Sequence, residues 1–305
     1  MNNILVLGGT GFVGRHLSAR LTAAGFQLTV PTRQAGGATV APDARLRVVP
    51  ADVHDPDALA TLMQGQDAVV NLVAILHGTA DTFERVHVEL PRTIARACAA
   101  TGVRRLVQVS ALGASLDGPS MYQRSKARGE AVLQAAAAAG TLDLTVLRPS
   151  VIFGADDKFL NVFAQLQRVI PVIPLAGAGT RFQPVWVDDV AAAVHRCLLD
   201  ERTIGKTFEA CGPDVLSLRD LVRRAGQWSG AAGRRGRAGL GLPTPVARLQ
   251  AWVMERLPGE PLMTRDNLDS MAVDNIASGK LPGLDALGIT PATLDAIAPA
   301  YLRRS

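Results

Sequence analysis

The residues best suited to chemistry lie in "MYQRSKARGE", residues 121 to 130. Tyr122 and Lys126 are four apart on a stretch that reads as a helix, so both side chains share one face. A neighbouring ammonium favours the ionised phenol, which predicts a tyrosine that gives up its proton more easily than usual. Such a pair can pass a proton to or from a substrate oxygen. The bland alternative is an exposed pair on a helix surface.

A second constellation is "LGGTGFVGRH", with Gly8, Gly11 and Gly14 directly after a strand-like run and at the start of a helical one. Gly8 permits a tight turn, Gly11 lets backbone approach a pyrophosphate, and Gly14 lets the helix pack on the sheet. The helix N-terminus adds amide donors and a partial positive charge. Gly8, Thr10, Gly11, Phe12, Val13 and Gly14 are therefore expected to cradle a dinucleotide diphosphate. The end of the second strand selects the cofactor. An acidic residue there would hold ribose hydroxyls and repel a 2′-phosphate. Here the run is "VPTRQ", and Thr32 and Arg33 suit a phosphate, with Arg15 able to assist. The expectation is NADP(H) in preference to NAD(H), which stays admissible. The competing reading makes Arg33 a solvated loop residue. Asp52 and Val53, after the third strand, are expected to flank the adenine, the carboxylate accepting from its amino group.

These groups need a scaffold, and the first 150 residues supply one. Short apolar runs alternate with helical patterns: "NILVLGG", "FQLTVPTR", "RLRVVPADV", "DAVVNLVA", "RRLVQVSA" and "LDLTVLRPSVIFG" read as six strands. The runs are continuously apolar, as in strands covered on both faces. The expectation is an α/β protein with a Rossmann-type, doubly wound parallel sheet. "TFERVHVELPRTIARACAATG" reads as one long helix that tolerates Pro91. The predicted division is a dinucleotide-binding domain over 1–154 and a smaller C-terminal substrate-side lobe over 155–305, with excursions back to the sheet. In that lobe, Asp188 or Asp189 is expected to cap a helix, Ser217 another, and "PVARLQAWVMERLPG" to form a short amphipathic helix. Arg234, Arg235 and Arg237 lie in a Gly-rich connection beside it. They suit an anionic membrane or a partner complex, or simply a solvated loop.

Composition narrows the class. The 305 residues carry a net charge of +5, 48% hydrophobic residues and 4% aromatics, so aliphatic side chains and alanine must fill the core. The charges are scattered rather than clustered, which argues against nucleic acid. Cys98, Cys197 and Cys211 are far apart and outside any CxxC pattern, which predicts buried thiols and no metal site. No apolar run reaches the roughly 18 residues of a membrane span, and strand-like sequence begins at Asn3, which predicts no signal peptide. A cytoplasmic protein is expected, with peripheral contact at the inner face of a membrane left open.

The motifs "GGTGFVG", "ADV", "NLVA", "YQRSK", "LRPSVIFG" and "QPVWVDDVA" resemble the short-chain dehydrogenase/reductase superfamily, in its extended and atypical branches. "HVEL", "VSALGA", "DDKFLNVFAQL" and "MTRDNLDSM" are similar to one subgroup. It contains the NADPH-binding accessory subunit of mitochondrial respiratory complex I and bacterial relatives often labelled nucleotide-sugar epimerases. The resemblance implies that Tyr122 exchanges a proton with the substrate and that Lys126 holds the nicotinamide ribose and lowers the tyrosine pKa. It implies that Val73 and Ala74 line the cofactor and that Pro149 to Ile152 lie beside the nicotinamide. The usual catalytic serine falls at Ala111, or at Ser110 if the alignment slips by one; the usual asparagine is replaced by His87. His87 itself reads as a core histidine bonded to a backbone carbonyl, and Arg148 as structural. The readings carried forward are an oxidoreductase or epimerase-like enzyme acting on a small or lipid-like carbonyl compound, and a cofactor-binding assembly protein of a respiratory complex or quinone metabolism.

Overall fold

A computed structural model describes residues 1–33, 43–230, 236–237, 239–259 and 261–303; Arg234 and Arg235 lie outside the described residues. The N-terminal half alternates β1 (Asn3–Leu7), α1 (Phe12–Ala23), β2 (Gln27–Thr32), β3 (Leu46–Pro50), α2 (Pro56–Met63) and β4 (Ala68–Asn71). It continues with α3 (Ala80–Glu84), α4 (Leu90–Thr101), β5 (Arg105–Val109), α5 (Met121–Ala138) and β6 (Asp143–Pro149). A seventh strand, β11 (Thr207–Ala210), completes one parallel sheet in the order β11-β6-β5-β4-β1-β2-β3. The sheet is Rossmann-type and doubly wound as expected, with its topological switch between β1 and β4, where ligands bind in such folds.

Strand β1 shows why the runs are apolar throughout. Ile4 and Val6 pack into one cluster with Leu17 and Leu21 of α1 and with Val190 and Val194 of α7 (Val187–Leu199). Leu5 and Leu7 pack into another with Leu59, Leu90, Ile94 and Leu133. Each fully buried aliphatic side chain contributes about 2 kcal/mol, so both faces hold the strand in register. The seventh strand was not read from the sequence. "TFEA" is too short and too polar to stand out, and Glu209 is buried because it accepts from the Ser278 backbone N–H and hydroxyl.

The helix expected across Pro91 runs without a gap from Ala80 to Thr101, but it is not α-helical throughout. A π-helical turn, Arg85–Glu89, separates α3 from α4. The ring of Pro91 would strike the carbonyl four residues back, that of His87, and has no N–H to give it. That carbonyl turns out to face α5, where a Cβ at Gly129 would come within 1.9 Å of it. The glycine thus admits the displaced carbonyl.

After β6 the chain adds β7 (Ile152–Phe153), α6 (Leu160–Val169), β8 (Ile173–Leu175), β9 (Arg181–Phe182), β10 (Val185–Trp186), β12 (Leu216–Ser217), α8 (Leu218–Ser229), β13 (Gly239–Gly241), α9 (Thr244–Met254), α10 (Arg265–Ser270) and α11 (Leu294–Leu302). Phe153, Leu160, Leu218, Leu221 and Leu294 form its own core. Ser217 caps α8 as expected. Neither Asp188 nor Asp189 caps α7, because both lie inside its first turn. Asp188 meets His16 at 2.6 Å, and Asp189 accepts from the Ala292 amide at 2.8 Å. The three cysteines are free and buried, as expected. No helix among the described residues is long and apolar enough to cross a membrane, and no metal-binding group of residues occurs among them.

Candidate functional site

The glycine turn follows β1 at the switch point. Gly8 has φ +79°, a left-handed conformation that other residues resist, and a Cβ there would also press on Leu72 and Val73 at 3.2–3.3 Å. A Cβ at Gly14 would lie 2.3 Å from the Gly8 carbonyl, so α1 can pack this close only with glycine. Gly9, not singled out in the sequence, is equally constrained by Val30 at 2.8 Å. Gly11 is different: a Cβ would meet only the Gly8 carbonyl, at 3.2 Å, and the residue is exposed.

The N-terminus of α1 is open. Gly11 supplies no side-chain cap, and no acidic residue occupies the first turn. The orphan amides of Phe12, Val13 and Gly14 can therefore serve an anion. Helix α5 is the opposite case. Ser120 and Gln123 form a capping box, and the Asp266 carboxylate accepts from the Met121 and Tyr122 amides at 2.6 and 3.1 Å. The two helix ends are thus divided: one is free to hold phosphate and the other is tied to α10.

At the adenosine side, Arg33 is exposed just beyond β2. Arg15 does not join it. Its guanidinium binds Asp156 at 2.8 Å and the Thr10 carbonyl at 3.3 Å, away from β2. Two residues missed in the sequence, His54 and Arg85, stand close by. His54 is held below the usual imidazole range by burial first and then by the Arg85 guanidinium; Arg33 adds to this, and Asp52 opposes it. Asp52 accepts from the His54 amide at 3.0 Å and faces Arg85 at 3.7 Å. Val53 is partly buried against the core beneath it.

At the opposite end stand Tyr122, Lys126 and Ser110. Lys126 is buried at 4% exposure, and its ammonium donates to the Val109 carbonyl at 3.1 Å. The same carbonyl accepts from Gln108, whose amide oxygen accepts from Asn71. Asn71 in turn accepts from the Val73 amide, fixing the loop that continues to Ala74. Burial lowers Lys126 to about 8, with Glu130 opposing the shift. Glu130 is itself held by both arms of Arg148 at 2.6–3.2 Å, which makes Arg148 structural as expected. Pro149 ends β6, where its carbonyl accepts from the Leu112 amide, and Ile152 begins β7.

Tyr122 is half-buried, edge-on to Phe83 and His87. Burial raises its phenol to about 12. The easier ionisation expected from Lys126 is therefore absent from the protein alone, because the desolvation of the phenolate outweighs the pull of an ammonium turned toward Val109. The hydroxyl of Ser110 is buried without a hydrogen-bond partner. Among the described residues it is thus an orphan hydroxyl, which costs about 1–3 kcal/mol. His87 is a core histidine, but its bonds differ from those expected. Nε2 accepts from the Ile75 amide at 3.1 Å, so Nδ1 carries the proton and donates to Ser125 at 2.9 Å. Burial, and secondarily Lys126, depress it to about 3. The ring therefore stays neutral near neutral pH, with its one N–H committed to Ser125.

A parallel sheet with an uncapped helix N-terminus at its switch point, and a tyrosine–lysine pair on a helix packed on the sheet, defines an NAD(P)-binding Rossmann protein of the extended short-chain dehydrogenase/reductase type. The chain matches the NAD dependent epimerase/dehydratase family over residues 4–211 and belongs to it. It is 32% identical over 314 residues to the mouse protein "NADH dehydrogenase [ubiquinone] 1 alpha subcomplex subunit 9, mitochondrial", covering 98% of this chain and 79% of that one. It is 31% identical over 227 residues to a ceramide reductase of Caulobacter vibrioides, covering 73% of this chain and 66% of the relative. In fold it is similar to the dTDP-glucose 4,6-dehydratase DesIV of Streptomyces venezuelae, solved with NAD bound. The TM-score is 0.76 at 22% identity, over 99% and 96% of the two chains.

Proposed function

We propose that the protein is an NADP(H)-binding oxidoreductase that acts on the carbonyl or alcohol of a small or lipid-like substrate. The observation that carries this reading is Lys126: a lysine kept buried one helical turn from a tyrosine, with its pKa lowered to about 8. Burying an ammonium is costly, and a merely structural helix face has no need of it. Bound NADP(H) would supply the hydride. The chain's part is to hold the diphosphate on Gly8 to Gly14, to keep the nicotinamide near Val73, Ala74, Pro149 and Ile152, and to exchange a proton at the Tyr122 oxygen. Lys126, once it engages the nicotinamide ribose, stabilises the phenolate, and the Ser110 hydroxyl donates to the substrate oxygen. The preference for NADP(H) over NAD(H) rests on Thr32 and Arg33, with the cationic neighbour Arg85, where an acidic residue would favour NAD(H). Residues 155–305 furnish the substrate side, and the protein works in the cytoplasm with peripheral contact at the membrane's inner face.

A second reading is a cofactor-binding subunit of a respiratory complex that turns nothing over. His87, locked neutral, and Ala111, where a catalytic hydroxyl is usual, favour it, as does the likeness to the mouse mitochondrial subunit. A Tyr122→Phe variant separates the two. Loss of NADPH-dependent carbonyl reduction with cofactor binding retained supports the enzyme. Turnover equal to that of the wild type rejects the assigned proton donor, and no turnover in either protein favours the binding role.

A further inference from the structure

Beside the N-terminal turn of α5 lies a cleft of about 880 Å³, within the range of small-molecule sites. It is walled by the loop 77–79, by Met121 and Arg124 of α5, and by residues of α9 and α10. Its charged groups are Arg124, Arg248, Arg265, Glu255, Asp266 and Asp269. Most already have partners. Arg248 holds Asp269 at 2.6 Å, and Arg265 holds Glu255 at 2.9 Å. Asp266 is engaged by the two amides of α5, whose helix dipole offsets its charge. Arg124 alone has no carboxylate among the described residues. One arm of its guanidinium donates to the Gly118 and Pro119 carbonyls at 2.6 and 2.9 Å, which fixes its direction without neutralising it.

Several neighbours of the lining residues in the chain are apolar and exposed. Leu76, Leu249 and Leu262 each adjoin a lining residue in the chain, and they are 60%, 61% and 60% exposed. Trp252, one turn beyond Arg248, is 41% exposed. On α9 it shares a face with Arg248, and exposed apolar side chains beside a cleft suit an apolar ligand chain.

We propose that this cleft binds an amphiphile with one anionic group, a phosphate or carboxylate carried on an alkyl chain. Arg124 receives the anion, and the exposed apolar side chains beside the cleft, Trp252 foremost, receive the chain. One uncompensated cation matches one anionic group rather than a diphosphate. Arg124 stands two residues from Tyr122, so the bound molecule lies next to the reactive helix. This names the substrate class for the oxidoreductase reading and rests on it only in that respect, because binding here needs neither cofactor nor turnover.

Calorimetric titration of the full chain tests the assignment, with octyl phosphate, octanoate, octyl glucoside, inorganic phosphate and UDP as probes. Octyl phosphate and octanoate are expected to bind, and Arg124→Gln to weaken both by about tenfold or more, the worth of a charged hydrogen bond. Octyl glucoside is expected to bind wild type and variant equally. Inorganic phosphate and UDP are expected to bind far more weakly than octyl phosphate. Arg124→Lys, which keeps the charge, should recover part of the loss and guards against a folding defect. Equal affinity of Arg124→Gln and wild type for octyl phosphate overturns the proposal. So does inorganic phosphate or UDP binding as tightly as the alkyl phosphate, which would assign the site to a free anion or a nucleotide. Should the chain fail to bind any nicotinamide dinucleotide, the oxidoreductase reading falls while these titrations still decide the cleft.

Discussion

Gly129→Ala isolates the contact on which the reactive helix depends. In mid-helix this change ordinarily stabilises by about 1 kcal/mol, because alanine loses less entropy on folding. Here the new Cβ would sit 1.9 Å from the His87 carbonyl oxygen, whereas ordinary contact begins near 3.4 Å. The two elements must part by about 1.5 Å, and the obstacle is backbone on both sides. Overpacking of this kind costs about 1–3 kcal/mol, so after the gain in propensity the expected net effect is a loss of about 1 kcal/mol and a Tm lower by a few degrees. The function should suffer more. Lys126 lies one turn away, and its 3.1 Å bond to Val109 does not survive a shift of that size. A misplacement of about 1 Å can cost on the order of a hundredfold in rate. Thermal unfolding monitored by circular dichroism reads the first effect, and NADPH oxidation the second. A Tm that rises, as helix propensity alone requires, would refute the account of Pro91, the π-turn and α5.

The remaining predictions concern titration, an orphan hydroxyl and cofactor choice. Lys126 is near 8 when folded against 10.5 unfolded, so the unfolded state binds more protons between those values and stability gains as pH rises through that window. Urea unfolding should therefore favour wild type over Lys126→Met increasingly from pH 8 toward 10.5, and a constant difference would contradict the burial argument. Ser110→Ala removes an unpartnered hydroxyl, so the cofactor-free protein should be as stable as wild type or about 1 kcal/mol more so, while carbonyl reduction falls. A clear loss of stability would show that the hydroxyl is already satisfied. Arg33→Asp should weaken NADPH binding more than NADH binding in parallel fluorescence titrations, and equal changes would remove Arg33 from the 2′-phosphate.

The places of the first six strands along the chain were legible because each is an apolar run set off by glycine or a helical pattern. The glycine turn was legible from its local spacing after a strand, although the contacts that require Gly8 and Gly9 come from Leu72, Val73 and Val30 on other strands and loops. What escaped the sequence arises between distant segments. Asp266 is an ordinary acidic residue until α10 brings it to the amides of Met121 and Tyr122, some 145 residues away. Gly129 reads as a weak spot in a helix until the His87 carbonyl is seen against it. His54 and Arg85 carry no motif, and they meet Arg33 and Asp52 only once β3 and the π-turn converge. The phenol's pKa was misjudged for a related reason. Spacing reports that Tyr122 and Lys126 share a face, but not that the ammonium points to a main-chain carbonyl and the phenol into an apolar aromatic corner.

Fluorescence titration of the folded protein with NADPH, and with NADH alongside, goes to the root. Saturable binding of one NADPH per chain, stronger than that of NADH and lost when Gly11 is replaced by a bulky residue, is the expected result. A well-folded chain that takes up neither dinucleotide would contradict the assignment of the open α1 end as the diphosphate site.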